Sequence, residues 1–379
     1  MDRRSVVRAG VVGIGLMALE PTAFVRAAGA ACSATGPYGP PGAADGNGIR
    51  LPAGFTSRVI ARSWSAVGRT GYSWPMYPDG GATFALAGGG WVYVANSEVP
   101  LGLGGASSVT FDASGAVVGA RRILGGTWSN CAGGPTPWGT WLSCEEIDRG
   151  YVYECDVQTN RPTRRPALGR FTHEAAAVDG ARRTVYLSED EGDGCFYRFR
   201  YPTANDLSSG TLEVARLAGP DGGAVTWLPV PDPGGGTPTR DQVAGATRFD
   251  GGEGLWFGAD AVHLATKGDN RVWRYDVVAQ TIAVVYDQAT SCNPVLSGID
   301  NVVMSRSGDV YVCEDGGDMQ LVLLGADGSV SPFLQVTGQD GSELTGPAFS
   351  PDGRRLYLSS QRGGPLGLGV TYEVQGPFR

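Results

Sequence analysis

The sequence predicts an all-β chain closed into a six-bladed β-propeller, with a metal cluster at one mouth of the central channel. Three observations lead there. The chain of 379 residues carries 60 glycines and 9 tryptophans among short Val/Tyr/Leu alternations, the composition of many short strands joined by tight turns. After the first thirty residues no stretch keeps a helical period. Finally, six segments share one pattern of apolar alternation about a polar or aromatic centre: WVYVANSE, GTWLSCEE, RTVYLSEDE, DAVHLATKG, GDVYVCEDG and RRLYLSSQRG. Their centres, Tyr93, Trp141, Tyr186, His263, Tyr311 and Tyr357, are separated by 48, 45, 77, 48 and 46 residues. A period in the mid-forties, with about four strands per repeat, is that of a propeller. The 77 is one repeat plus an insertion, the Pro/Gly-rich run at about 219–245.

In chain order, the N-terminus comes first. Arg3 and Arg4 precede an apolar run from Val11 to Leu19, too short to span a bilayer, and small residues suited to cleavage follow. Residues 1–28 therefore read as a twin-arginine signal, with 29–379 as a single propeller domain exported already folded to the periplasm or beyond. A lipid anchor at Cys32 is disfavoured by Gly29, where such a signal normally has leucine. The formal net charge is −8. The leader carries four arginines against Asp2 and Glu20, a net +2, which leaves −10 for the remainder. An acidic chain without basic stripes excludes nucleic acid and anionic membrane as partners and suits one that collects cations. The mature protein is expected to act as a monomer on a small molecule. Seven cysteines at irregular spacing show neither a CxxC nor a zinc-finger pattern.

Each repeat carries chemistry at two places. Ten to fourteen residues before the centres stand Asp79, Cys131, Glu174, Glu253, Asp300 and Glu343, where the chain enters each innermost strand. Just beyond the centres stand Glu98, Glu145/Glu146, Glu189/Asp190/Glu191, Lys267, Glu314/Asp315 and Gln361. The start of one antiparallel strand and the end of the next share an edge, so both sets should surround one mouth. Carboxylates crowded there without cations would raise one another's pKa values and pay for burial uncompensated. Oxygen donors suit calcium, whereas the Cys131 thiolate argues for a transition metal beside it. Such a cluster supports metal-assisted hydrolysis.

The segments NCAGGPTPWGTWLSCEE, GRFTHEAAAVD, YLSEDEGDGCFYRF, the EG of GGEGLWF, IDNVV with VCEDG, and ELTGPAFSPDGRRLYLSSQ occur in this order over roughly residues 70 to 370. In that respect the chain resembles the PhoX-type alkaline phosphatases. The resemblance implies phosphomonoester hydrolysis on an iron and calcium cluster, with a metal-bridging oxygen as nucleophile. It implies that Cys131, Glu146, Glu174 and Glu253 are catalytic iron-side ligands. Asp190, Asp300 and Asn301 then hold calcium or the cluster, and Glu98 is a weaker ligand. Two departures stand out. Gly251 replaces an arginine that contacts phosphate in the family pattern, and Asn96–Ser97–Glu98 replaces an Asn–His–Glu element. Lys267 or Arg271 is expected to supply the missing cation.

Other readings remain open from the residues. A calcium-dependent propeller lactonase would need no thiolate, and a calcium-stabilised binding propeller would need no catalysis. His173 reads either as an outer-shell partner of Glu174 or as a structural residue, and His263 as core. Trp138, Trp141 and Trp256 read as packing between sheets. Cys144, Cys155, Cys195, Cys292 and Cys313 read as buried strand thiols or disulfide halves, with Cys155 and Cys195 as a candidate pair. Which phosphate ester is cleaved stays open.

Overall fold

The computed structural model describes residues 36–379. The leader, its arginine pair and Cys32 lie outside the described residues. No helix among the described residues is long and apolar enough to cross a membrane.

The described chain is all-β apart from three short 3-10 turns, Pro166–Leu168, Thr239–Asp241 and Pro365–Gly367. Its strands fold as antiparallel meanders in a propeller-like arrangement. The first meander runs Pro78–Ala85, Trp91–Ser97, Gly104–Phe111 and Val117–Thr127. The second runs Asn130–Pro135, Thr140–Glu145, Val152–Asp156 and Thr163–Arg164. The third runs His173–Asp179, Thr184–Glu189, Gly194–Arg200 and Thr211–Gly219. The fourth runs Gly252–Gly258, Ala261–Thr266, Arg271–Asp276 and Thr281–Asp287. The fifth runs Ile299–Met304, Val310–Glu314, Gln320–Leu324 and Val330–Val336, with Ile49–Arg50 added at its edge. The last joins both ends of the chain: Leu344–Phe349, Arg355–Ser360 and Val370–Gln375 are completed by Thr56–Arg62. Arg58 ties that closure by donating to both oxygens of the buried Glu373, at 2.8 Å each.

These meanders form five hydrogen-bonded sheets, because the third and fourth are fused. The fusing strand is Gly222–Pro229, which pairs with Thr211–Gly219 on one side and Thr281–Asp287 on the other. The stretch read as a Pro/Gly-rich insertion therefore starts as an ordered strand. Its Val225 and Trp227 alternate into the core, which is why it docks.

The first strands of the meanders pack side by side in a closed circuit, each beside the next and Leu344–Phe349 beside Pro78–Ala85. The repeat centres explain how the sheets adhere. All of them are buried, and they meet across neighbouring sheets: the Tyr93 and Tyr357 rings stack at 4.9 Å, and Trp91 Nε1 donates to Tyr357 OH at 3.0 Å. His263 sits in this layer too, as expected of a core residue.

Candidate metal centre

Every pairing of a first strand with its neighbour breaks register once, near the entry of the first strand. The breaks lie between Pro78 and Gly81, Asn130 and Gly133, His173 and Ala176, Gly252 and Leu255, Ile299 and Val302, and Thr345 and Ala348. A β-bulge inserts a residue and re-aims side chains. Five of the expected ring members, Asp79, Cys131, Glu174, Glu253 and Asp300, occupy the first bulge position. The sixth bulge holds Gly346 and Pro347 instead, and Glu343 precedes its strand. Glu343 is thus not the register equivalent of the others. Gly346 has φ of +59°, and a Cβ there would lie 2.5 Å from the Asp79 carbonyl oxygen, so no side chain fits.

The second bulge position is small or tightly held in every case. A Cβ on Gly80 would lie 2.4 Å from Ala132 Cα, and one on Gly254 2.7 Å from Asn301 Cα. First strands can approach that closely only without side chains between them. The channel below the ring consequently narrows to a cavity of about 30 Å³ lined by Ala132, Ala175, Gly254, Asn301 and Pro347.

The strand ends supply an outer ring. Ser97, Glu145, Glu189, Thr266, Glu314 and Ser360 pair with the first strands' entries, and the next residues are Glu98, Glu146, Asp190, Lys267, Asp315 and Gln361. The adjacent acids have separate roles. Glu145 accepts from Trp128 N and Tyr151 N, at 3.0 and 3.1 Å. Glu314 accepts from Ser297 N and Gln320 N, both at 2.9 Å. Glu189 accepts from Cys195 N, Tyr197 OH and Arg240. These three clamp turns, and Glu146, Asp190 and Asp315 are left to face the mouth.

Three groups of ligand atoms come together, each with its atoms within 4.8 Å of one another: Cys131/Glu146/Glu174, Glu174/Glu253/Asp300 and Asp79/Glu98/Glu343. Glu174 belongs to two of them and is fully buried. Neither of its oxygens has a hydrogen-bond partner. Burial, then Glu253, Glu146 and Asp300, push its carboxyl well above the usual carboxylate range. Burial does the same for Asp79, Glu253 and Asp300; neighbouring acids add to it, and Lys267 opposes it at Glu253 and Asp300. Glu146 is pushed up to about 9 by burial and then by Asp190, with which it also shares a hydrogen bond. Burial, Asp79 and Glu174 raise the Cys131 thiol. A buried carboxylate with empty lone pairs beside a thiol and three further acids is the arrangement a cation would satisfy. The donors fit the expected ions: sulfur with two carboxylates suits a transition metal, and three carboxylates suit a hard cation.

The third group is already compensated. Arg362 donates to Glu98 at 2.9 Å and pairs closely with Glu343. The Gln361 amide donates to Glu98 at 3.0 Å and also to Asp79. Arg362 was not among the expected residues. Reading one position beyond the outer ring in every repeat gives Val99, Ile147, Glu191, Gly268, Gly316 and Arg362, so its lone positive charge was there to find.

Other expectations are redirected. Asn301 donates to Asp300 and accepts from Gly346 N, both at 2.7 Å. Its amide thereby orients Asp300, and its carbonyl oxygen, with one of two lone pairs used, can still serve as a ligand. Asn96 acts in the same way, donating to the carbonyls of Cys131 and Ala132 at 3.1 and 2.7 Å and so fixing the thiol's bulge. Its own oxygen accepts from Trp141 Nε1 and Ser143 Oγ. Arg271 does not reach the ring, because Asp221, Asp269 and Asp287 bind it and Trp273 lies beneath it. Lys267 does reach it, 2.8 Å from Glu253 and 3.3 Å from Asp315. Burial opposes its charge, but Glu253 and Asp300 outweigh that and hold the ammonium. A Cβ on Gly251 would lie 3.7 Å from Lys267 Cβ, so Lys267 stands beside the position vacated by the missing arginine. His173 hydrogen-bonds Gly169 O at 3.2 Å and stacks on Phe171; it is structural and does not hold Glu174. Cys155 and Cys195 are both free thiols, not a pair, as are the buried Cys144 and Cys313.

Comparisons with known proteins bear on the fold and the family. The solved Pseudomonas fluorescens PhoX, in complex with the transition-state analogue vanadate, superposes with a TM-score of 0.70 at 18% identity, over 89% of this chain and 97% of that one. A Xanthomonas campestris gluconolactonase is similar at a TM-score of 0.53 and 13% identity, over 90% and 99%. No protein of curated function matches the chain by sequence. The profile of the alkaline phosphatase PhoX family matches residues 93–153, 147–288 and 276–364. The chain belongs to the PhoX alkaline phosphatase family and by that membership is a phosphoric monoester hydrolase.

Proposed function

We propose that this protein is a secreted, metal-dependent phosphomonoesterase on a six-bladed propeller, the two halves of the fused sheet counting as separate blades. The observation that carries the reading is Glu174, a fully buried carboxylate with no partner for either oxygen, shared by two ligand groups. Cys131, Glu146 and Glu174 would hold iron, and Glu174, Glu253 and Asp300 calcium, with Asp190 beside both. Asp79, Glu98 and Glu343 can take a further calcium only if Arg362 swings away. When bound, these cations stabilise charge on a phosphoryl group and activate water.

The chain's own residues do the rest. The bulges fix the donors on strand backbone, and Asn96 and Asn301 hold two of those bulges. Lys267 is fixed by Glu253 and Asp315 at the wall where a phosphoryl oxygen would need a cation. The narrow cavity below confines an ester to the mouth. The leader directs the folded, loaded protein out of the cytoplasm.

The second reading is a calcium-dependent lactonase, supported by the fold shared with the gluconolactonase. The Cys131 thiol at a ligand position favours the phosphatase. Hydrolysis of 4-nitrophenyl phosphate by the iron- and calcium-loaded protein, lost with chelator and restored with the metals, is the expected result. Lactone opening without phosphatase activity would overturn it.

A further inference from the structure

The mouth has two unlike flanks. By register, the loops after Ser97, before Asn130, after Ser360 and after Arg62 all lie at the mouth end of the first, second and last meanders. Of eight large hydrophobics exposed among the described residues, five lie in these loops: Trp64, Leu101, Leu103, Trp128 and Leu366. Leu101 is 72% and Leu366 91% exposed. The segment around Gly102 and Trp128 is continuous, since a Cβ on Gly102 would lie 3.8 Å from Trp128 Nε1. On the third and fourth meanders the corresponding loops are ionic, with Arg240 bound by Glu189, Glu191 and Asp193, and Lys267 by Glu253 and Asp315.

Backbone conformation marks the apolar flank as well. Trp64, Leu101 and Leu366 have φ of 63°, 63° and 64°. Bulky residues rarely adopt this left-handed region. Three loops therefore turn large apolar side chains toward solvent against local preference, the kind of outlier that accompanies binding surfaces.

An ester held at the ring can send its alcohol only outward, because the channel beneath is a cavity of about 30 Å³. At the border between ring and apolar flank, the Arg362 guanidinium lies 5.1 Å above the Tyr77 ring and is 40% exposed. A phosphoryl group on the ring side and an apolar group on the outer side would meet matching surfaces there. We infer that this flank is the leaving-group subsite and that the substrates are phosphomonoesters of apolar alcohols, alkyl or aromatic, in preference to polyols and sugars. The inference rests on the phosphatase reading above.

The test uses the metal-loaded protein with ethyl and hexyl phosphate, whose alcohols differ little in acidity. The expected result is a kcat/KM about tenfold or more higher for the hexyl ester, from burial of the added methylenes. In the Leu101→Ser/Leu103→Ser double variant the hexyl-to-ethyl ratio falls about tenfold, mainly through KM. Binding of hexylphosphonate, read by calorimetry, weakens by a similar factor. Equal turnover of both esters by the wild-type protein would overturn the inference, as would a variant that lowers both esters alike. An unchanged ratio together with lost sedimentation on anionic phospholipid vesicles would assign the flank to a membrane surface instead. Should neither ester be hydrolysed, the phosphatase reading fails on its own, and tighter binding of hexylphosphonate than of ethylphosphonate would still report on the flank.

Discussion

Two acid groups at the same mouth solve the problem of crowded charge differently. Asp79, Glu98 and Glu343 are bridged by the Gln361 amide and the Arg362 guanidinium. Glu174 has only a thiol and other acids for company and no hydrogen bond at all. The protein neutralises the first group with its own side chains, whereas around Glu174 the one cation at hand, Lys267, is taken up by Glu253 and Asp315. An uncompensated buried carboxylate costs several kcal/mol, a cost that a cation held by Glu174 would relieve.

The sharpest way to break the contrast is to remove the shared ligand. Glu174→Gln is expected to lower phosphatase kcat/KM by more than ~100-fold, beyond a typical outer-shell change, and to lose bound metal. The same substitution should stabilise the metal-free protein at pH 9 by roughly 1–3 kcal/mol, since it removes a buried carboxyl that lacks a partner in either protonation state. Denaturant melts with and without chelator check both signs.

A second prediction concerns pH. Carboxyls raised on folding contribute stability that is present below their unfolded pKa and lost as pH rises through the folded value. For Glu146 that window runs from about 4.5 to about 9. The metal-free protein should therefore weaken with rising pH across this range, whereas the loaded protein should not. Metal binding should also release protons, measurable by titration in buffers of different ionisation enthalpy.

The adjacent acids give a smaller effect. Glu314→Gln removes a charged acceptor from two backbone N–H groups and should cost about 1–2 kcal/mol of stability, with metal content and turnover retained. Arg362→Gln should be smaller still in stability, at most about 1 kcal/mol for a partly exposed pair. It should tighten calcium at Asp79/Glu98/Glu343, because the competing cation is gone, as calorimetric titration of wild type and variant would show.

Much of this was legible in the chain. The spacing of Tyr93, Trp141, Tyr186, His263, Tyr311 and Tyr357 marks the meanders because packing between sheets demands a large residue at the same depth in each. Five ring members were legible because each falls ten to fourteen residues before such a centre. What was not legible depends on register and on hydrogen bonds across meanders. Glu343 has the right chemistry and distance from Tyr357, yet the bulge falls at Gly346, and only the paired strands show it. Glu145 and Glu146 are alike as letters and differ in which way the strand end points them. Asn96, Asn301 and Arg362 act on residues 35, 45 and 264 positions away, beyond any local pattern. The strand Gly222–Pro229 was hidden by the prolines and glycines that follow it.

The central claim is tested most directly by the metal content of the natively purified protein, measured for the wild type and for Cys131→Ser. The account predicts iron together with calcium in the wild type. In the variant it predicts loss of iron and of phosphatase activity, with the fold and the calcium at Glu174, Glu253 and Asp300 retained. A wild-type protein that hydrolyses phosphomonoesters with no metal bound, or a serine variant with its iron and activity intact, would contradict it.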